Sequence, residues 1–558
     1  MPASPEHRRA EARRLSIGAR YDAAMLRLTS RVVVVPVCVF VSLLAPGRAA
    51  GQGPTQAELN AAGSNTADWL LTGHDYGGQR FVDLDQITRD NVGSLRTVCT
   101  FEPGYRSQWH PNPIVYRGVM YLTAGNATVA IDATTCDVRW RHDWEMKERP
   151  GFPQNRGVAL KDGLAIRGTS DGFLIALDMA DGTLRWERQA ADSSIGESFT
   201  MPPLVYDDLV IIGPAGSENG VRGWVGAFRL ADGSPVWKFN TVPEPGEPGS
   251  ETWSDPGDTR VGGGAVWTPF GFDPESGLVF VPVSNPAPDF FSEVRQGDNL
   301  YTGSIVVLDA RSGELDWYFQ AVPHDVHDYD QTQATPLFAT TIDGERRNAV
   351  VTVGKNGILH TLDRTTHEHL YEVPVTRREN VSAPITVEGT RACPGVFGGV
   401  EWNGPAYNPR LDVLYVPAVD WCATFKRTEE VRFIPGRLYM GGSWIMDDFD
   451  DARGQLTAID AGTGAVRWRY QSPMPMLASI TTTSAGLVLT GELTGDFLVL
   501  DGDDGSVLRR IETGRSMQAG IVSYGIAGRQ YIAVMAGNTS ALWPTDPVDA
   551  QVIVLALE

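Results

Sequence analysis

A short phrase recurs along this chain and restricts its fold more than any other feature: an apolar run, an Asp, a tight turn and then an aromatic residue. Val129-Ala130-Ile131-Asp132-Ala133 runs on to Trp140, and Ala176-Leu177-Asp178 leads through Asp181-Gly182 to Trp186. The phrase returns as Ala227-Phe228, Asp232-Gly233 and Trp237, and as Val307-Leu308-Asp309-Ala310 to Trp317. It appears again as Thr361-Leu362-Asp363 to Tyr371, Ala458-Ile459-Asp460 to Trp468, and Val499-Leu500-Asp501 to Arg510. Each copy reads as strand, turn, strand. A single hairpin cannot bury its own apolar face, so the Trp and the turn are expected to dock neighbouring sheets. The spacing, roughly 40 to 55 residues, is that of a four-stranded propeller blade. The gap between Asp363 and Asp460 is expected to hold a further copy near Leu414-Tyr415-Val416. The gap between Arg229 and Asp309 suits one blade with a large inserted loop. The expected fold is therefore all-β, an eight-bladed β-propeller with tryptophan-docking repeats. A solenoid is the alternative, and the regular units without capping ends favour ring closure over it.

Composition agrees with short strands and many turns. Of 558 residues, 60 are Gly, 36 Pro and 15 Trp, and only 21% are charged. The net charge of -21 argues against a nucleic-acid partner, which requires a basic footprint. Residues 1–51 read as an N-terminal extension and signal peptide, and 52–558 as the propeller. Arg27 and Arg31 make a basic start, Val32 to Ala45 an apolar stretch, and Gly47-Arg48-Ala49-Ala50-Gly51 a small-residue cleavage region. The apolar stretch is shorter than the roughly 20 residues that span a bilayer, so cleavage is expected rather than a transmembrane anchor. Met1 or Met25 is the start. With Cys38 lost alongside the signal, Cys99, Cys136, Cys393 and Cys422 remain as an even set for an oxidising compartment. Three pairings are possible. Joining nearby segments gives Cys99–Cys136 and Cys393–Cys422, each closing a loop of about thirty residues for roughly 3 to 4 kcal/mol. No C-x-x-C-H is present, so the chain encodes no covalent haem site of that type.

Pro323-His324-Asp325-Val326-His327-Asp328-Tyr329-Asp330 packs three carboxylates and two imidazoles into eight residues. Such a knot is either a solvated acidic loop or a place where a cation and a general base sit side by side. Other stretches carry similar ambiguity. Arg156 in Asn155-Arg156-Gly157 reads by itself as a surface charge, Thr200 as a strand-edge hydroxyl, and Lys355-Asn356-Gly357 as a turn. Gly216-Ser217-Glu218-Asn219-Gly220 is a glycine-punctuated loop with one carboxylate. Gly262-Gly263-Gly264 before Trp267 forfeits side-chain packing, which marks close approach of a ligand or of another backbone. Asn285, in Ser284-Asn285-Pro286-Ala287-Pro288, offers a neutral oxygen to a hard cation.

The chain resembles the quinoprotein alcohol and methanol dehydrogenases, eight-bladed propellers that hold pyrroloquinoline quinone (PQQ) and a metal ion on their axis. The likeness rests on the repeats, on Asp68-Trp69 followed by Gly73-His74-Asp75-Tyr76-Gly77-Gly78-Gln79-Arg80-Phe81, and on Gly528-Arg529-Gln530-Tyr531-Ile532-Ala533-Val534. It implies that Arg156 holds a carboxylate of the quinone, that Thr200, Gly216 and Ser217 approach it, and that Trp267 is the floor on which it stacks. Lys355 would face the quinone oxygens. Glu218, Asn285, Asp328 and Asp330 would bind the metal, and Asp328 would be the general base. Oxygen donors suit Ca2+ or a lanthanide. In methanol-dehydrogenase-like members an Asp at the position of Asp330 accompanies lanthanide use, while related sugar dehydrogenases carry Asp-x-Asp with divalent ions. Both ions stay open.

Departures from the family pattern are also present. The adjacent-cysteine pair is missing, Ala265 replaces a cofactor-bonding Thr, and His327 stands for a Trp. His110 stands near a usual Glu or Gln, and Leu477 where some members have Trp. The implied protein is a periplasmic, PQQ-dependent dehydrogenase of alcohols or related hydroxyl and aldehyde substrates, passing electrons to a separate cytochrome c-type acceptor. A sugar or polyol dehydrogenase, or a noncatalytic propeller scaffold of the outer-membrane assembly type, are the alternatives.

Overall fold

The recurring phrase forms the last two strands of antiparallel sheets. In each, the strand before the Asp is buried nearly throughout, as in Phe173–Asp178 and Ser304–Asp309, whereas the strand carrying the Trp is mostly exposed, as in Val138–Asp143. The inner strand has sheets on both of its faces. The outer one meets water. The computed structural model describes residues 53–253, 262–540 and 542–558, and the expected signal segment lies outside them. Among the described residues there are nine sheets, eight of four or five strands and one of three. No described helix is long and apolar enough to cross a membrane.

Apolar clusters join these sheets face to face in chain order. One cluster links the first four sheets, from Ala130 through Ile175 and Val210 to Phe272. The fourth packs on the fifth through Phe280 and Val350, and the fifth on the sixth through Val351 and Leu414. Tyr415 meets Val488 of the seventh sheet, whose Leu489 meets Ile532 of the eighth. Val522 and Val554 of that last sheet return to Val129 and Ile131 of the first. Each fully buried aliphatic side chain contributes about 1.5–3 kcal/mol to this packing.

The Trp and the turn dock as the spacing predicts. The Asp309 carboxylate accepts the Arg311 and Ser312 amides, at 3.0 and 2.8 Å, and closes its turn onto Gly313 with φ +74°. A Cβ on Gly313 would lie 2.5 Å from Trp237 of the preceding sheet. Trp237 donates its indole N–H to Ala310 O at 3.0 Å. Trp140, Trp186 and Trp468 donate likewise to Met179, Leu230 and Gly502. Trp317 differs, because its turn carries His367 in the glycine position, and the two rings stack at 4.7 Å.

The expected copy near Leu414 is not a separate unit. Val413–Asp420 pairs with Arg453–Asp460, so Leu414 and Trp468 share one sheet with Ala406–Asn408 and Val466–Ser472. The long gap is taken up by an inserted three-stranded sheet of Thr390–Ala392, Ala423–Arg427 and Gly442–Met446. The remaining large sheet joins an early segment of the chain to its last strands, Leu95–Phe101 pairing with Gln551–Leu557 beside Arg529–Ala536 and Ile521–Ile526. Both nearby cysteine pairings form, Cys99–Cys136 and Cys393–Cys422.

Cys99 follows the strand irregularity at Thr97/Cys99 just as Trp140 follows the one after Val138, and Cys136, with φ +64°, sits four residues after Asp132 as Gly313 does after Asp309. The first disulfide thus replaces the Trp-on-glycine dock where the last sheet meets the first.

Candidate active site

The acidic knot is a buried, tightly tied loop. Asp325 accepts the amides of His327 and Tyr329 at 2.9 and 2.7 Å, which turns the backbone so that Asp328 stands at φ +61°. Arg295 braces this turn: its guanidinium donates to Asp325 O at 2.7 Å, to Asp289 O and Pro288 O at 2.9 Å, and to Asn299 Oδ1 at 2.9 Å. His327, in place of an aromatic residue, stacks on Tyr329 at 5.0 Å.

Lys355 Nζ lies 3.2 Å from Asp328 Oδ2 and 2.8 Å from Asp330 Oδ2. Burial opposes the ammonium charge, but Asp328 and Asp330 outweigh it and hold the lysine pKa well above its usual value. Burial pushes the Asp328 carboxyl well above the carboxylate range, with Lys355 pulling it back and Asp330 adding to the rise. Asp328 Oδ1 is buried without a hydrogen-bond partner among the described residues.

Candidate cation ligands converge on the same place. Asp330 Oδ1 accepts the Asn285 backbone N–H at 2.8 Å, and Asn285 Oδ1 is left buried without a hydrogen-bond partner among the described residues. The glycine run positions this asparagine through close approach of another backbone, the second of its two sequence readings. Gly264 N–H donates to Asn285 O at 2.8 Å, and a Cβ on Gly263, where φ is +74°, would lie 2.6 Å from that same oxygen. Glu218 sits in a short 3-10 turn, Ser217–Asn219, and its carboxyl is raised by burial and then by Asp330.

Sequence reasoning missed Asp289, whose two carboxylate oxygens are both buried without a hydrogen-bond partner among the described residues. Burial and Glu218 raise it well above the usual range, and Arg295 opposes them. An acid following Pro-Ala-Pro carried no spacing signal. Unpaired buried oxygens on Asn285, Asp289 and Asp328, beside Glu218, are a donor set that fits a hard cation.

A cavity of about 150 Å3 adjoins this cluster and is lined by Arg156, Thr200, Gly216, Ser217, Glu218, Trp267, Asp330 and Lys355. Asn285 and Asp328 stand behind that lining. Arg156 donates to Trp267 O at 3.1 Å, with its guanidinium carbon 4.8 Å from the Trp267 ring centre and 5.6 Å from that of Trp402. Burial lowers its pKa to about 9, so it stays charged at neutral pH. Its Nε has no hydrogen-bond partner among the described residues. Thr200 Oγ1 donates to Trp267 O at 3.3 Å, and Ser217 Oγ is shared between Ser284 and the Ala265 amide.

Aromatic side chains gather at the cavity. Phe152, Phe397, Trp402 and Trp543 line the cavity, and His110 stacks on Trp402 at 4.1 Å. Leu477 is buried, and its carbonyl accepts the Asn403 amide at 2.8 Å. Glu401 is a further acid that the sequence did not single out. It lines the cavity, burial pushes it up to about 7, and Lys355 opposes the shift. A flat anionic ligand against Trp267, met by Arg156 and Lys355, fits this lining.

The family described as "PQQ: Glucose/ethanol/alcohol dehydrogenase, beta-propeller domain" matches residues 69–379. The chain is 31% identical to quinohemoprotein alcohol dehydrogenase ADH IIB of Pseudomonas putida, over 89% of this chain and 77% of that protein. It is 30% identical to quinoprotein alcohol dehydrogenase PedH of Pseudomonas putida, over 93% and 94%. Among solved structures, a europium-containing methanol dehydrogenase superposes with a TM-score of 0.83 at 26% identity, covering 90% of this chain and all of that one. Sequence repeats, propeller packing, the convergent acids and these likenesses agree, and the chain belongs to the family of PQQ-dependent alcohol dehydrogenases.

Proposed function

We propose that this protein oxidises small alcohols in the periplasm, using PQQ and one oxygen-ligated cation at the centre of an eight-bladed ring. The observation that carries this reading is the set of buried, unpaired oxygens on Asn285, Asp289 and Asp328 beside the Arg156- and Lys355-lined cavity. Arg156, Thr200, Gly216, Ser217, Trp267 and Lys355 would hold the quinone, and Glu218, Asn285 and Asp328 the cation. Asp330 has both oxygens engaged, by Lys355 and by the Asn285 amide, so it aligns those two groups and adds charge beside the ion. Four carboxylates, Glu218, Asp289, Asp328 and Asp330, against Lys355 and Arg295 leave an excess of negative charge that favours a trivalent lanthanide over Ca2+.

When bound, the cation-polarised quinone supplies a two-electron acceptor. The chain's own residues supply the rest. The Asp328 carboxylate receives the hydroxyl proton of the substrate, and the turn fixed by Asp325 and Arg295 holds it in place. Lys355 balances the negative charge that develops on oxidation. Phe152, Phe397 and Trp543 exclude water and accept the carbon chain of the substrate. Electrons would leave to a separate cytochrome c-type acceptor. The expected signal segment and two disulfides support an oxidising, extracytoplasmic location.

Purified protein reconstituted with PQQ and La3+ or Ca2+ should show dye-linked oxidation of a panel of primary alcohols. Neither PQQ nor cation alone should suffice. Activity confined to sugars would move the substrate class, and full turnover without PQQ would overturn the reading.

A further inference from the structure

We propose that His360, His369 and Glu372 form a second metal site, suited to a borderline divalent transition ion such as zinc and separate from the cofactor cavity. All three stand on the last two strands of the fifth sheet, Ile358–Asp363 and His369–Pro374, where His360 lies directly opposite Glu372. His360 Nδ1 is 3.1 Å from His369 Nε2 and 3.5 Å from Glu372 Oε2. The three ligand atoms lie within 4.8 Å of one another. Ligands placed tetrahedrally at about 2.0–2.2 Å from zinc stand roughly 3.3–3.5 Å apart. Two edges of such a tetrahedron are therefore already set by the fold.

The surroundings hold the donors in that arrangement. Phe319, on the outer strand of the fourth sheet, has its ring centre 5.4 Å from that of His369 and only 8° from coplanar, and 5.3 Å from that of His360. This packing limits both imidazoles to a narrow range of orientations. His360 is buried, and burial, with His369 and Arg378 adding to it, drives its pKa down to about 4. Two imidazole nitrogens and one carboxylate select zinc, copper, nickel or cobalt, whereas the oxygen donors of the active centre select hard ions. None of the three residues lines the cofactor cavity. His369 and Glu372 are exposed, which leaves the remaining coordination positions to water. A bound ion would pin the outermost strand to its neighbour.

The test uses the full chain already loaded with PQQ and its active-centre cation. Calorimetric titration with Zn2+ should reveal one further site per chain, with a rise in unfolding temperature. His369→Gln and Glu372→Gln should each weaken Zn2+ binding roughly tenfold or more. Dye-linked turnover should be unchanged in both variants. Because these two side chains are exposed, loss of binding would not reflect loss of fold, and the unfolding temperature without zinc checks this directly. Zn2+ binding that is unaltered in the double variant, or no binding beyond the active-centre ion, would overturn the proposal.

Discussion

Asp328 combines three features that a general base needs: burial, a fixed backbone and one uncommitted oxygen. Replacing it with Asn preserves shape, so PQQ binding should persist while turnover falls by roughly 10² to 10⁴. Near-normal turnover in a PQQ-loaded variant would remove Asp328 from the mechanism. Trp267→Ala should weaken PQQ retention in equilibrium dialysis with the fold intact, because its ring and Arg156 form one wall of the cavity. Asp289→Asn should loosen the cation about tenfold or more, read by metal titration of the PQQ-loaded protein. The sequence made Asp328, Glu218 and Asn285 legible because each sits in a recurring family phrase. Asp289 and Glu401 were not legible, since a lone acid in a loop gives no periodicity and its burial is decided by distant segments.

At the scale of elements, the dock between a Trp and the next turn is the unit of assembly. A methyl group on Gly505 would meet the Trp468 ring at 2.6 Å, and its φ of +76° strains any other residue. Gly505→Ala should therefore cost about 1–3 kcal/mol and lower the unfolding temperature. Alanine placed at exposed Gly514, where φ is +67° and nothing lies within 4 Å of a Cβ, controls for backbone strain alone. The repeats were readable because Asp, Gly and Trp serve one local geometry. The closing sheet was not, because its outer strand comes from residues 95–101 and its other strands from 521–557. There Cys99 and Cys136 take the places of Trp and Gly, so the joint carries a covalent bond where the repeat signal fails.

For the whole molecule, stability should depend on pH through its buried histidines. His74 is fully buried, its Nε2–H donates to Asn65 O at 3.0 Å, and desolvation lowers its pKa to about 4. The unfolded chain takes up that proton near pH 6.5, well before the folded protein does. Its contribution is complete above about 6.5 and is lost as pH falls towards 4, at up to roughly 1.4 kcal/mol per unit. Denaturant unfolding at pH 7 and pH 5 should show this loss, and His74→Gln should flatten it. A variant with the wild-type slope would reassign the effect to other groups.

The central claim is that one cation and the quinone share the cluster around Asp328, and a crystal structure of protein reconstituted with PQQ and La3+ tests it most directly. Anomalous scattering should place a single lanthanum among the oxygens of Glu218, Asn285 and Asp328, with the quinone on Trp267 and its carboxylate at Arg156. Lanthanum bound away from these residues, or the quinone outside the cavity lined by Arg156 and Lys355, would contradict the account.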